Sequence, residues 1–218
     1  MISHTHKSIF IHVPKTAGTS IEKELGFSGP RHNTALQYLT HFADIWGKYY
    51  SFAFVRNPWD RVLSLYLYRR QNLRREAEVS LTFTQWLARS AEYVRSGDNL
   101  ALNRAFAPRY GVGTVVKDDL EGWRVKFDST LHMLTDENGE LIVDFVGRYE
   151  RLQQDFDTVC ARIGIEPRVL PILNRTEHRP YWTYYDEESE RIVAELFHRD
   201  IVQFSYAFGK ADQVAPVP

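Results

Sequence analysis

The apolar run Ser8-Ile9-Phe10-Ile11-His12-Val13 passes directly into Pro14-Lys15-Thr16-Ala17-Gly18-Thr19-Ser20, and this junction constrains the fold more than any other stretch. The run lacks polar/apolar alternation and carries β-branched residues, the composition of a parallel strand covered on both faces. Thr19-Ser20-Ile21-Glu22 then gives the threonine-x-x-glutamate pattern of a capping box, which predicts a helix start whose backbone N–H groups face the loop. Such a start attracts anions, Gly18 lets a ligand approach the backbone, and Lys15 adds a full charge. The expected guest is a phosphate ester.

Two features set this loop apart from that of the nucleoside triphosphatases. There the lysine follows the second glycine; here Lys15 precedes Gly18. A triphosphatase also ends a neighbouring strand on a carboxylate that helps hold magnesium. The next strand-like segment, Tyr50-Ser51-Phe52-Ala53-Phe54-Val55, runs instead into Arg56-Asn57-Pro58. Asn57 suits an N-cap, Pro58 the first helical position, and Asp60 the helix dipole, so a helix is expected to follow. Ligands of open α/β sheets bind at the carboxyl ends of strands, which would bring Lys15 and Arg56 to one crevice if their strands are neighbours. Ser64, two turns into that helix and on the face of Asn57 and Asp60, is placed to reach the same ligand. These groups suffice to neutralise phosphates or a sulfonate with no metal required.

Together, the two segments Val13-Pro14-Lys15-Thr16-Ala17-Gly18-Thr19-Ser20 and Phe54-Val55-Arg56-Asn57-Pro58-Trp59-Asp60-Arg61-Val62-Leu63-Ser64 resemble the carbohydrate sulfotransferase family, which includes the heparan 2-O-sulfotransferases, the chondroitin sulfotransferases and bacterial relatives. The likeness continues in Asp144-Phe145-Val146-Gly147-Arg148-Tyr149-Glu150-Arg151-Leu152, in Leu170-Pro171-Ile172-Leu173-Asn174-Arg175-Thr176 and in Asp200-Ile201-Val202-Gln203-Phe204-Ser205-Tyr206. It implies a sulfuryl donor, 3′-phosphoadenosine 5′-phosphosulfate (PAPS). Lys15, Thr16, Ala17, Gly18, Thr19 and Ser20 would grip its 5′-phosphosulfate, and Arg56 and Ser64 its 3′-phosphate, with Arg175 and Thr176 on a loop that closes over the nucleotide. It further implies a hydroxyl-bearing acceptor, a glycan or glycolipid. Arg31-His32-Asn33-Thr34-Ala35 resembles a stretch of bacterial relatives lying between the two nucleotide motifs, which makes His32 the expected base; Lys15 would stabilise the moving sulfuryl group and the departing phosphate.

The expected fold is a three-layer α/β domain, its mainly parallel sheet flanked by helices in the phosphate-loop-like sulfotransferase manner. A single domain over residues 1–218 is expected, with an acceptor-binding insertion around residues 96–130. Arg104, Arg109 and Lys117 in that stretch are candidates to meet an anionic acceptor. A net charge of −1 gives no broad footprint for nucleic acid. No apolar stretch approaches the roughly 20 residues of a membrane span and no signal-peptide core is present, and the single Cys160 suggests a reducing, cytoplasmic compartment. Animal members of the resembled family usually carry an amino-terminal membrane anchor, so the resemblance implies a bacterial-type cytoplasmic relative or a trimmed catalytic domain. Oligomeric state is not legible.

His12 is read as a strand-end residue satisfied by backbone groups. No histidine pairing suggests a metal site, and His4 and His6 fall on what reads as a frayed terminus. Asp136-Glu137-Asn138-Gly139 predicts a hairpin, or a turn into a further strand, between Leu131-His132-Met133-Leu134 and Leu141-Ile142-Val143-Asp144-Phe145-Val146. Helices are expected over residues 84–94, over residues 152–163 with Gly164 as their stop, and over residues 187–204. Tyr181, Trp182, Tyr184 and Tyr185 are read as packing. Two other functions fit the same loop chemistry: a magnesium-dependent small-molecule kinase, and a non-catalytic nucleotide-binding domain.

Overall fold

Parallel strands followed by helices require both sheet faces to be covered, and the two apolar runs meet that requirement. The computed structural model describes residues 1–29, 31–72, 81–96, 129–171, 173 and 178–209. Among the described residues the chain packs as two compact units: residues 1–57 with 130–173, and residues 58–129 with 178–209.

The first unit is built on a sheet which, among the described residues, has the order β1 (Ile2–Ser3), β2 (Ser8–Ile11), β3 (Tyr50–Val55), β4 (Phe145–Arg148). β1 pairs antiparallel with β2, so residues 2 and 3 are held rather than frayed. β2, β3 and β4 are mutually parallel, giving the mainly parallel sheet expected. Phe10, Phe52 and Phe54 share one face, and they pack with Ile21 and Leu25 of helix α1 (Gly18–Leu25) and with Phe156, Val159 and Cys160 of the helix Leu152–Arg162. Ile9, Ile11, Ala53 and Val55, which point the other way, are equally buried. Burying one such side chain contributes about 1.5–3 kcal/mol, more than the roughly 1 kcal/mol typical of a side-chain cap. Ile21 and Leu25 therefore hold α1 on the sheet although its first turn has no side-chain cap.

Glycine at 147 is a packing requirement: a Cβ there would meet the Phe54 ring at 2.6 Å. Asp144 ties β4 to β3 by accepting from Ser51 N and Oγ, each at 2.7 Å. The helix Leu152–Arg162 ends where expected, with Gly164 at φ 73° and Ile165 N donating to Cys160 O at 3.0 Å. Burial raises the Cys160 thiol above its ordinary range.

The expected Asp136 turn is present, with Asp136 Oδ1 accepting from the N–H groups of Asn138 and Glu140, both at 2.9 Å. Its first flank is not a strand. Residues Thr130–Leu134 form a short helix, and the hairpin is reduced to the bridge Thr135↔Leu141 before the chain enters β4 at Phe145. Four apolar residues do not separate helix from strand by periodicity, and burial of Leu131, Met133 and Leu134 selects the helix.

The second unit contains α2 (Pro58–Asn72), with proline first and Asp60 in the opening turn as expected, and the helix Phe83–Ser96. Trp59, Leu63, Tyr66, Leu87, Ile192 and Phe197 are among its core residues. Trp59 Nε1 donates to Glu190 O at 3.0 Å, and Tyr185 Oη donates to Trp59 O at 2.7 Å. Tyr181 is buried beside the Phe208 ring at 5.8 Å, so this part of the aromatic cluster is packing. The single helix expected over residues 187–204 is two, Glu187–Leu196 and His198–Gln203, because Phe197 leaves helical geometry (φ −113°, ψ 24°) while its ring is held in the core. Residues 97–128, with Arg104, Arg109 and Lys117 and most of the expected insertion, lie outside the described residues. Among the described residues no helix is long and apolar enough to cross a membrane.

Candidate active site

Register fixes where the two motifs emerge. Ile11 of β2 lies beside Ala53 of β3, and Val55 of β3 beside Arg148 of β4, so the segments that leave these parallel strands exit at one edge of the sheet. After β2 the chain turns tightly. Val13 N donates to Ile11 O at 3.0 Å, and the buried Thr16 hydroxyl donates to Val13 O at 2.9 Å, so Thr16 braces the loop from within. Lys15 (φ 69°) and Ala17 (φ 65°) both occupy the left-handed region. Each such non-glycine residue costs about 1–3 kcal/mol and persists only where its surroundings enforce it. Left-handed residues interspersed in a turn aim successive N–H groups into a concavity that suits an anion.

The helix start differs from expectation. It lies at Gly18 with Ala17 as the cap residue, not at a Thr19–Glu22 capping box, and no side chain closes it. Glu22 is drawn elsewhere, as described below. The need for glycine at 18 also has a different source: a Cβ there would lie 2.0 Å from His12 Cδ2 and Nε2, so the His12 ring occupies the space a side chain would take.

Arg56 follows β3 and is buried. Its Nη1 donates to Lys15 O at 3.2 Å, and its Cζ sits 4.0 Å from the centre of the Tyr149 ring, just past β4. Asn57 N donates to Glu150 Oε1 at 2.6 Å. Three segments at the carboxyl ends of three parallel strands are thus joined, and the turn that carries Lys15 lies against Arg56. On the far side of the loop, Leu173 N donates to the Ser20 hydroxyl at 3.4 Å.

A second cluster lies behind the loop. The buried Glu22 carboxylate accepts from His12 Nδ1 through Oε1, and from Arg31 Nε (3.0 Å) and an Arg31 terminal nitrogen (2.7 Å) through Oε2. His12 Nδ1 is thus paired with a carboxylate, a partner not expected for it. His32 is half-buried, its Nδ1 lies 2.9 Å from His12 O, and its ring centre is 4.7 Å from that of His12. A carbonyl only accepts, so Nδ1 carries the proton in neutral His32, and Nε2 is the nitrogen with the lone pair.

Ser64 lies buried on α2 in the second unit. Arg175 and Thr176 lie outside the described residues. The sequence did not single out Tyr149, Arg31 or the role of Glu22. Tyr149 sits in a recognisable stretch, whereas nothing local to Glu22 predicts partners on a strand end and a loop.

The donor set is a lysine, a buried arginine, an uncapped helix start and two hydroxyl residues, Thr19 and Ser20. Its chemistry suits a multiply charged anionic ester. A family model described as Sulfotransferase family matches residues 1–207. An uncharacterized protein of Archaeoglobus fulgidus is 31% identical over 117 residues, covering 54% of this chain and 69% of that protein. No solved structure matches the chain.

Proposed function

Because the chain belongs to the sulfotransferase family, we propose that it moves a sulfuryl group from PAPS to a hydroxyl of a carbohydrate or glycoconjugate. The observation that supports this reading is the hydrogen bond from Arg56 to the Lys15 carbonyl, which draws the turn that carries Lys15 against a buried guanidinium beside an uncapped helix start. Such an arrangement suits a ligand with phosphate at both ends of a ribose. In this reading Lys15 and the 16–20 turn take the 5′ end, and Arg56 the 3′-phosphate. Ser64, Arg175 and Thr176 join on the strength of the family motif.

When bound, PAPS supplies a sulfuryl group on a phosphate leaving oxygen. Lys15 offsets the charge that builds on that side of the reaction. His32 Nε2 takes the acceptor hydroxyl proton as the oxygen–sulfur bond forms, with the Nδ1 proton held on His12 O.

Calorimetry with 3′,5′-adenosine bisphosphate against adenosine diphosphate, each with and without magnesium, tests the cofactor. The proposal expects tight, metal-independent binding of the bisphosphate, and a stabilisation of about 2.7 kcal/mol at one hundred times Kd. Magnesium-dependent preference for adenosine triphosphate would favour a kinase instead. Arg56→Ala should weaken the bisphosphate by about 1.5–3 kcal/mol, the loss of hydrogen bonds to a charged group. His32→Ala should lower turnover by about 10²–10⁴-fold while nucleotide affinity is retained. Binding without turnover towards any alcohol would leave a nucleotide-binding domain.

A further inference from the structure

We propose that Glu22 is the positioning residue for His32, acting through His12 on one side and Arg31 on the other. The inference rests on the reading of His32 as the base and goes beyond it, since neither Glu22 nor Arg31 belongs to the nucleotide-gripping motifs.

The geometry is a closed frame. Glu22 projects from α1, which Ile21 and Leu25 fix to the sheet. Its Oε1 accepts from the His12 ring, at the end of β2, and the main-chain oxygen of that same His12 accepts from His32 Nδ1. Its Oε2 accepts from two nitrogens of Arg31, the residue immediately before His32. His32 itself has φ 68°, a conformation unfavourable for a non-glycine residue, which must be enforced from both sides. Downstream, the reciprocal Thr34–Gln37 capping box anchors the chain to the helix Ala35–His41. Upstream the anchor is the Arg31–Glu22 fork.

One buried carboxylate thus holds the ring of the residue whose main-chain oxygen selects the His32 tautomer, and holds the chain that carries the His32 ring. Both of its oxygens are required as acceptors, because Oε1 serves His12 and Oε2 serves Arg31. An amide at position 22 can accept on one side only and would turn an NH₂ group against either Arg31 or His12.

The test uses the full chain without ligand, recording ring-nitrogen NMR of His32 near pH 8 in wild type, Glu22→Gln and Arg31→Ala. His32→Ala assigns the signal. Wild type should show the Nδ1-protonated tautomer alone; Glu22→Gln should show both tautomers. Arg31→Ala should move in the same direction, and because the Arg31 side chain is 55% exposed this variant keeps the test open if Glu22→Gln does not fold. Affinity for 3′,5′-adenosine bisphosphate should stay within about twofold in both variants, while PAPS hydrolysis by water falls, in the manner of a misplaced group, towards 10²-fold through kcat rather than KM. An unchanged tautomer in both variants, alongside a full His32→Ala defect, overturns the role of Glu22 alone. Wild-type hydrolysis by His32→Ala overturns the base assignment beneath it.

Discussion

Replacing Gly18 by alanine should destabilise the first unit for a reason that has nothing to do with ligand. The added Cβ would fall 2.0 Å from two atoms of the His12 ring and 2.7 Å from a third, against the 3.5–4.0 Å at which carbon atoms rest. The ring has little room to retreat. It is 6% exposed, lies against Phe10 at 5.5 Å between centroids with planes 13° apart, and is held by Glu22. Overpacking typically costs about 1–3 kcal/mol, and displacing the ring also breaks a hydrogen bond to a charged group, about 1.5–3 kcal/mol. Gly18→Ala should therefore cost about 2.5–6 kcal/mol. The His12→Ala background removes the obstacle. There the same change should cost less than about 1 kcal/mol, helped by the better helix propensity of alanine. Urea unfolding of the four proteins of this cycle, followed by tryptophan fluorescence and circular dichroism, measures the coupling. Coincident transitions and constant m-values are needed for the comparison. Additive effects, within about 0.5 kcal/mol, would refute the idea that the His12 ring dictates glycine at position 18.

Gly147→Ala, whose Cβ would meet Phe54 at 2.6 Å in the core, should lower the urea midpoint by the equivalent of about 1–3 kcal/mol; an unshifted midpoint would mean that the sheet absorbs a methyl group freely. Asp186 accepts from Ser189 N at 2.8 Å and its carboxyl is held below the usual range, first by the Ser189 hydroxyl and then by that amide. A depressed folded-state value means the cap stabilises above the ordinary carboxylate range, near pH 4, and is lost as pH falls through the lowered value. Asp186→Ala should cost about 1 kcal/mol at pH 7 and remove that acid-side dependence, read by unfolding midpoints from pH 7 down to 3. Native Cys160 should resist a thiol reagent at pH 8 until urea unfolds the chain, and rapid native labelling would contradict its burial. Tyr149→Leu should weaken 3′,5′-adenosine bisphosphate about 2- to 30-fold through loss of the face that steadies Arg56, while Tyr149→Phe should not.

Local signals in the sequence carried the parts of the fold that depend on local chemistry. The apolar runs before Lys15 and Arg56 specify parallel strands, Pro58 marks a helix start, and Gly164 marks a helix end, because each depends on neighbours within a few residues. The misreadings share a different cause. Thr19–Glu22 has the letters of a capping box, yet the Glu22 carboxylate serves His12 and Arg31, ten positions before it and nine after. The apolar residues 131–134 fit strand or helix until burial chooses. The period of the last helix runs on through Phe197, whose ring is claimed by the core. The candidate site follows the same division. Lys15 and Arg56 were readable as cations after strands, whereas the tyrosine that faces Arg56 arises only when strands far apart in sequence become neighbours, and the carboxylate behind His12 only when α1 folds back against the end of β2.

The bond from Arg56 ends on a main-chain oxygen, and so it is indifferent to which side chain position 15 carries. The shape of the turn and the charge it presents are thereby separable properties. A substitution at Lys15 that tolerates the same backbone conformation would therefore change the charge offered at this end of the sheet while leaving the bond that fixes the turn in place.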